Sequence, residues 1–203
     1  MKKLYLGLLF SITLCQVLAQ GSWQLKKNEN GISTYTRTPA SGNLKELRVV
    51  CEFDATKAQL IATLQDIDHY KDWVYSSKKS EILKTPSPQK TIYYSQSHLP
   101  WPIKDRDLII ELDIGPPEAD VLYIQAKSLP AYLPKNDKFV RVPYSLATWK
   151  VTQAPEGKLK IDYTFSVDPG GSIPAWLVNA TLAIGPYNSF VKLKEVLKQA
   201  KHK

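Results

Sequence analysis

Leu159-Lys160-Ile161-Asp162-Tyr163-Thr164-Phe165-Ser166-Val167 runs into Asp168-Pro169-Gly170-Gly171 and then into Ser172-Ile173-Pro174-Ala175-Trp176-Leu177-Val178-Asn179. Leu159, Ile161, Tyr163, Phe165 and Val167 alternate with polar residues, the period of a half-buried strand. The Asp-Pro-Gly-Gly cluster ends that strand in a turn. Beyond it Ile173, Trp176, Leu177, Ala180, Ala183, Ile184, Tyr187, Phe190, Val191 and Leu197 recur at helical spacing. Ser172 is placed to cap this helix, and Pro174 falls in the first turn, where its missing N–H costs nothing. Gly185-Pro186 should kink the helix or divide it in two.

Upstream, the same strand period recurs. Leu47, Val49, Cys51 and Phe53 form one alternating set, and Leu108, Ile110, Leu112 and Ile114 form another. Weaker strands are expected near Gly31–Arg37, Thr91–His98, Val121–Lys127 and Arg141–Thr152. Asp54 can cap a helix whose Leu60, Ile61 and Leu64 share one face. The order is strands, a helix, many strands with short connections, then one long helix. Short connections favour antiparallel pairing. The fold class is therefore α+β, a sheet with a helix laid across one face. The gap between them is core if side chains fill it and a pocket if it stays partly open.

The chain has 203 residues, 43% hydrophobic and 23% charged, as one globular domain requires. Five Trp, eleven Tyr and five Phe suffice for a large aromatic core or a lined pocket. Lys2 and Lys3, the apolar run Leu4–Leu18 and the small residues of Val17-Leu18-Ala19 read as a secretory signal peptide over 1–19. That expectation places the protein in the periplasm or outside the cell and leaves a domain over 20–203. Cleavage would remove Cys15, so Cys51 would stay unpaired even in an oxidising compartment. The net charge is +8, and the tail adds to it with Lys192, Lys194, Lys198, Lys201 and Lys203 against Glu195. A basic tail suits anionic lipid surfaces. No basic-aromatic stripe suggests nucleic acid.

Specific strings resemble a known family. Trp101-Pro102-Ile103-Lys104-Asp105-Arg106-Asp107-Leu108, Asp68-His69-Tyr70-Lys71-Asp72-Trp73 and Asp168 to Asn179 are similar to segments of START domains, the steroidogenic-acute-regulatory-related lipid-transfer domains. The resemblance covers roughly Trp23 to Lys198. It implies a helix-grip fold, in which a curved antiparallel sheet wraps a long C-terminal helix and encloses one tunnel for a lipid, sterol or similar apolar molecule. Transfer of that molecule between membranes is part of the implication. Several family members carry a buried acid–arginine pair, and the matching positions fall near Tyr93 and Leu112. Neither is charged, which implies a neutral hydroxyl contact from Tyr93.

Candidate ligand contacts are Trp73, Tyr93, Trp101, Arg106, Trp149, Tyr163, Trp176 and Asn179. Apolar pockets use aromatic walls with few polar groups, although core packing is the commoner fate of a Trp. Arg106 lies between Asp105 and Asp107; it either pairs locally or grips a carboxylate or phosphate with its fork. Ser128 to Lys138 carries Leu129, Tyr132 and Leu133, much apolar area for a loop. By resemblance it covers the tunnel mouth, and with the tail lysines it would form a transient membrane-facing surface. His69 and His98 lack a nucleophile motif beside them. The sequence has no Gly-x-Ser-x-Gly, no phosphate loop and no metal spacing. The expectation is a monomeric binding protein without cofactor or metal rather than an enzyme. The alternative is an enzyme of the polyketide cyclase or dehydratase type, which shares the helix-grip fold.

Overall fold

A computed structural model describes residues 21–40 and 42–200. The expected signal peptide, Lys201 and Lys203 lie outside the described residues.

Among the described residues ten strands and four α-helices follow one another as β1 (Gln24–Glu29), β2 (Ile32–Arg37), β3 (Glu46–Phe53), α1 (Lys57–Gln65), α2 (Tyr70–Trp73), β4 (Ser77–Ser87), β5 (Lys90–Ser97), β6 (Arg106–Ile114), β7 (Val121–Ser128), β8 (Val140–Arg141), β9 (Tyr144–Gln153), β10 (Leu159–Asp168), α3 (Ala175–Thr181) and α4 (Ile184–Ala200). The strands form one open sheet in the order β1-β2-β3-β10-β9-β7-β6-β5-β4. All neighbours on this path are antiparallel. Only β8 runs parallel to its partner, β6. With α4 across its inner face, this is the curved sheet and long terminal helix of a helix-grip fold.

The strong alternations become the central strands. Leu47, Val49, Cys51 and Phe53 of β3 and Leu159, Ile161 and Tyr163 of β10 are buried on the inner face. They pair in register, Val49 with Tyr163 and Cys51 with Ile161. Tyr187, Phe190, Leu193 and Leu197 of α4 are buried against them, three or four residues apart. Each such side chain contributes at most about 1.5–3 kcal/mol, so the helix–sheet contact is a principal source of stability.

Two boundaries differ from the sequence expectation, and the division expected at Gly185-Pro186 is present. Thr56 rather than Asp54 caps α1, through a capping box with Gln59, because the reciprocal bonds satisfy two end groups at once. The terminal helix starts at Ala175, after Pro174, not at Ser172. It is also two helices. The break falls at Leu182–Ala183, where Pro186 has no N–H for the Leu182 carbonyl and its ring would strike it. β1 and β4 were not expected as strands. They are the two sheet edges, and Lys26, Lys27, Lys78, Lys79 and Lys84 break their alternation while guarding the edges against further pairing.

Candidate functional site

Between α4 and the inner face of β5, β6, β9 and β10 lies a cavity of about 280 Å³. Pockets for small ligands run from roughly 300 to 1,000 Å³, so this one lies just below that range. Tyr70, Trp73, Trp149 and Phe190 wall one end. Trp149 stacks on Phe190 at 5.1 Å and meets Tyr163 edge-on at 4.8 Å. Tyr70 meets Trp73 at 5.1 Å and Tyr93 at 5.5 Å. Rings locked edge-to-face and stacked in this way hold their positions without the ligand.

Serine hydroxyls line the cavity as well. Ser95 and Ser97 close β5 and Ser145 opens β9, with Leu108 and Phe165 beside them. At the helix side, Tyr75 stands at the cavity edge, 47% exposed, against Gly185 at the start of α4. A side chain at Gly185 would press on the Tyr75 ring at 3.3 Å. The Tyr75 N–H donates to Ser189 Oγ at 2.9 Å, fixing this edge to α4.

The electrostatics are those of a neutral chamber. Burial pushes the hydroxyls of Tyr70, Tyr93 and Tyr163 above the usual tyrosine range, so all three stay protonated. Tyr70 donates to the Leu64 carbonyl at 2.6 Å, which satisfies its buried O–H. Burial likewise raises the Cys51 thiol, so it is an inert core group. Among the described residues no cluster of His, Cys, Asp and Glu could hold a metal ion.

Of the eight candidate contacts, Trp73, Tyr93, Trp149 and Tyr163 line the cavity. Arg106, Trp101, Trp176 and Asn179 do not. Arg106 is buried, at 4% exposure, but its guanidinium is taken up by backbone. Nε donates to the Pro169 carbonyl at 3.3 Å, one terminal nitrogen to Gly170 O at 3.1 Å and the other to Lys104 O. It therefore stitches the connection before β6 to the Asp-Pro-Gly-Gly turn, outside the cavity lining. The turn is built for it. Asp168 Oδ1 accepts from the Gly170 N–H at 2.9 Å, and Gly170 and Gly171 take φ of 66° and 70°, which non-glycine residues resist. A Cβ on Gly170 would lie 2.9 Å from Pro143 Cδ.

Asn179 ties α3 to the β2–β3 connection. Its Oδ1 accepts from the Lys45 N–H at 2.8 Å, and its Nδ2 donates to Asn43 O at 2.9 Å. Trp101 and Trp176 point outward, 92% and 71% exposed. His69 and His98 are exposed partners of Asp66 and Asp105 at 2.7 and 2.8 Å, away from the cavity.

The Ser128–Lys138 loop does not cover the cavity, and Leu129, Tyr132 and Leu133 do not line it. It folds on the outer face of β6 instead. Leu108 and Ile110 point inward there, so Asp107 and Ile109 point outward. Asp107 and Arg141 form a buried pair with bonds of 2.9 and 2.8 Å. Arg141 also donates to the carbonyls of Pro130, Leu133 and Pro134 and so binds the loop down. The alternation did not reveal this, because Asp107 and Arg141 look like ordinary solvent-facing strand residues. Of the described tail lysines, Lys194 sits at the other end of the molecule. Lys194 donates to Asn30 O at the β1–β2 hairpin, beside the start of β10, whereas the loop lies beside its end. Ten strand residues separate the two by about 30 Å, so they cannot form one surface patch.

Comparison with known proteins places this geometry. A family model described as START domain matches residues 16–203. An uncharacterized protein of Pseudomonas aeruginosa is 27% identical over 172 residues, 85% of each chain. Human phosphatidylcholine transfer protein is 26% identical over 168 residues, 80% of this chain and 77% of that one. The crystal structure of a STAR-related lipid transfer protein fragment from Xanthomonas axonopodis superposes with a TM-score of 0.80 at 26% identity, covering 87% of this chain and 98% of that one. The family model covers nearly the whole chain, and the chain belongs to the START domain family.

Proposed function

We propose that the protein binds one apolar ligand in the cavity between α4 and the sheet and exchanges it with a membrane surface. One observation carries this reading. The space between helix and sheet is left open behind a preformed wall of Trp73, Trp149, Tyr163 and Phe190, although the residues around it are closely packed. Burial of apolar ligand surface, worth about 25 cal/mol per Å², supplies affinity without bond making. The names of the human and Xanthomonas relatives, which specify lipid transfer, support lipid as the ligand class. The cavity is complete within one chain, which supports a monomer.

Exchange with a membrane is supported by the two exposed tryptophans. Trp101 lies on the 98–105 connection and Trp176 just after the Asp-Pro-Gly-Gly turn. Arg106 binds both segments, so both rings belong to one end of the molecule. Tryptophan at such a surface partitions to the membrane–water interface. This end, rather than the Ser128–Lys138 loop with the lysine tail, is the proposed membrane face. The expected signal peptide supports export to the periplasm or the medium.

Native mass spectrometry of the purified mature chain, followed by organic extraction, tests the reading. The expected result is one small molecule per chain, with a change in Trp149 and Trp73 fluorescence when delipidated protein is mixed with lipid vesicles. A bare mass together with unchanged fluorescence would refute it.

A further inference from the structure

On the face of the sheet turned away from the lipid cavity, we infer a second ligand site, which takes a small oxyanion, phosphate or carboxylate, borne on a flat ring. The strand alternation creates the place. Val49, Trp149 and Tyr163 turn inward, so their neighbours Arg48, Thr148, Lys150, Asp162 and Thr164 turn outward. The register collects these on two rungs. Arg48 lies beside Thr164 and Thr164 beside Thr148, while on the next rung Asp162 lies beside Lys150 and Lys150 beside Tyr123. Over them runs a groove of about 300 Å³, slightly larger than the inner cavity and at the lower bound for small-ligand pockets. Trp23, which precedes β1, and Tyr123 of β7 bound it on opposite sides, since β3, β10 and β9 lie between them in the sheet.

The Arg37 guanidinium lies 4.4 Å above the Trp23 ring, and its Nε donates to Glu46 Oε2 at 2.6 Å. Arg48 donates through Nε and one terminal nitrogen to the two oxygens of Asp162. The carboxylates fix both forks without exhausting them. A guanidinium carries five N–H groups, of which Arg37 spends one and Arg48 two on these contacts. The Thr148 and Thr164 hydroxyls share one bond, which leaves one O–H free to donate. Lys150 has no acidic partner among the described residues. Three cations, Arg37, Arg48 and Lys150, thus stand against two carboxylates, Glu46 and Asp162, and the surplus positive charge favours an anion over a neutral alcohol. Charge alone binds weakly at a solvent-facing site, because water and salt screen it. Flat contact with Trp23 or with Tyr123, which is 60% exposed, supplies the remainder and requires a ring on the ligand. Ordinary cross-strand pairing accounts for the two ion pairs, but not for the unpaired lysine, the exposed ring and the open space between them.

The test titrates the mature protein at low ionic strength with phenyl phosphate, benzoate, inorganic phosphate and phenol. Binding is read by NMR from the indole N–H signals, that of Trp23 being identified by its loss in Trp23→Phe. Phenyl phosphate and benzoate should shift the Trp23 signal saturably and bind at least about tenfold more tightly than inorganic phosphate or phenol. Lys150→Gln should weaken both ring anions about fivefold, and so should about 0.5 M salt. The double change Arg48→Gln with Asp162→Asn leaves the net charge as it is and removes the fork, so it should weaken them at least about tenfold. No shift at Trp23, or undiminished affinity in both folded variants, would overturn the inference. So would shifts confined to Trp73 and Trp149, which would put the ring in the inner cavity. Inorganic phosphate bound as tightly as phenyl phosphate would overturn the need for a ring. Lipid uptake by the same variants should be unchanged, so this site and the lipid-binding reading stand or fall separately.

Discussion

Arg106→Met distinguishes an architectural arginine from a ligand-gripping one. The substitution keeps an apolar stem of similar length and removes the guanidinium. Three N–H···O=C bonds disappear, to Lys104, Pro169 and Gly170. A bond from a charged donor is worth about 1.5–3 kcal/mol net, but three bonds from one group are not additive, and the turn carbonyls can partly rehydrate. A loss of about 3 kcal/mol follows. With a urea dependence of about 2 kcal/mol per M, the unfolding midpoint falls by about 1.5 M. In a thermal melt the shift is about 6–12 °C for a chain of this size. Proteolysis should strike first near the Asp168–Gly171 turn and α3, since Arg106 pins that segment to the strand. Ligand affinity of the folded variant should stay within about twofold, because Arg106 does not line the cavity. An unchanged midpoint combined with a tenfold loss of ligand affinity would refute this reasoning and return Arg106 to the binding site.

Arg141→Leu leaves Asp107 buried and unpaired and should cost about 3–5 kcal/mol by urea unfolding, while the double change Asp107→Leu with Arg141→Leu should recover much of that. Trp101→Ser with Trp176→Ser should weaken vesicle flotation at every salt concentration and leave the melting temperature unchanged, since both rings are exposed. The Asp105 carboxyl accepts from the Leu99 N–H, His98 and Lys78, which hold it down to about 2. A depressed carboxyl stabilises its loop above the unfolded value, about 3.9, and the contribution is lost as pH falls through the folded one. Proteolysis of the 98–105 connection should therefore rise between pH 4 and 2 in the native chain, and Asp105→Asn should be equally susceptible throughout. N-terminal sequencing of exported protein should begin at Gln20.

The elements that sequence alone could assign are those whose pattern has a single cause. In β3 and β10 one face is buried and the other is not, so Leu47 to Phe53 and Leu159 to Val167 alternate cleanly. Edge strands obey a second demand, resistance to pairing, and the lysines of β1 and β4 overwrite the period. The helix break was visible in Gly185-Pro186, but it falls four residues upstream of the proline, at the carbonyl the ring displaces. Arg106 and Arg141 were opaque for a different reason. Their partners are mostly carbonyls from a turn 63 and 64 residues later or from a loop 7 to 11 residues earlier, and a carbonyl leaves no mark in the residue alphabet.

The same limit explains why the cavity could be inferred only by resemblance. Leu108, Ile110 and Phe165 point to the inner face like Leu112 and Tyr163, and nothing in their alternation separates them. In the structure Leu108, Ile110 and Phe165 are half-exposed while Leu112 and Tyr163 are buried, because the first three face the open space of the cavity. An apolar side chain facing a ligand and one facing core obey the same burial rule once the ligand is present. What distinguishes them is a missing partner, namely a helix residue that would have filled the gap. Opposite that part of the sheet the chain supplies Gly185 and Pro186, a residue with no side chain and one with a short ring, and the helix opposite is broken at Leu182–Ala183. Where α4 next turns a large residue toward the cavity, Phe190, it stacks on Trp149 and the gap closes. The cavity is thus encoded by small residues on one helix face set against large ones on the sheet. Gly185→Leu should test this directly. The new side chain would enter the space beside Tyr75, where a Cβ alone already comes within 3.3 Å of the ring. Ligand affinity should fall at least about tenfold, because apolar volume meant for the ligand is occupied by the protein. An undiminished affinity in a folded variant would mean that the ligand lies elsewhere along the sheet.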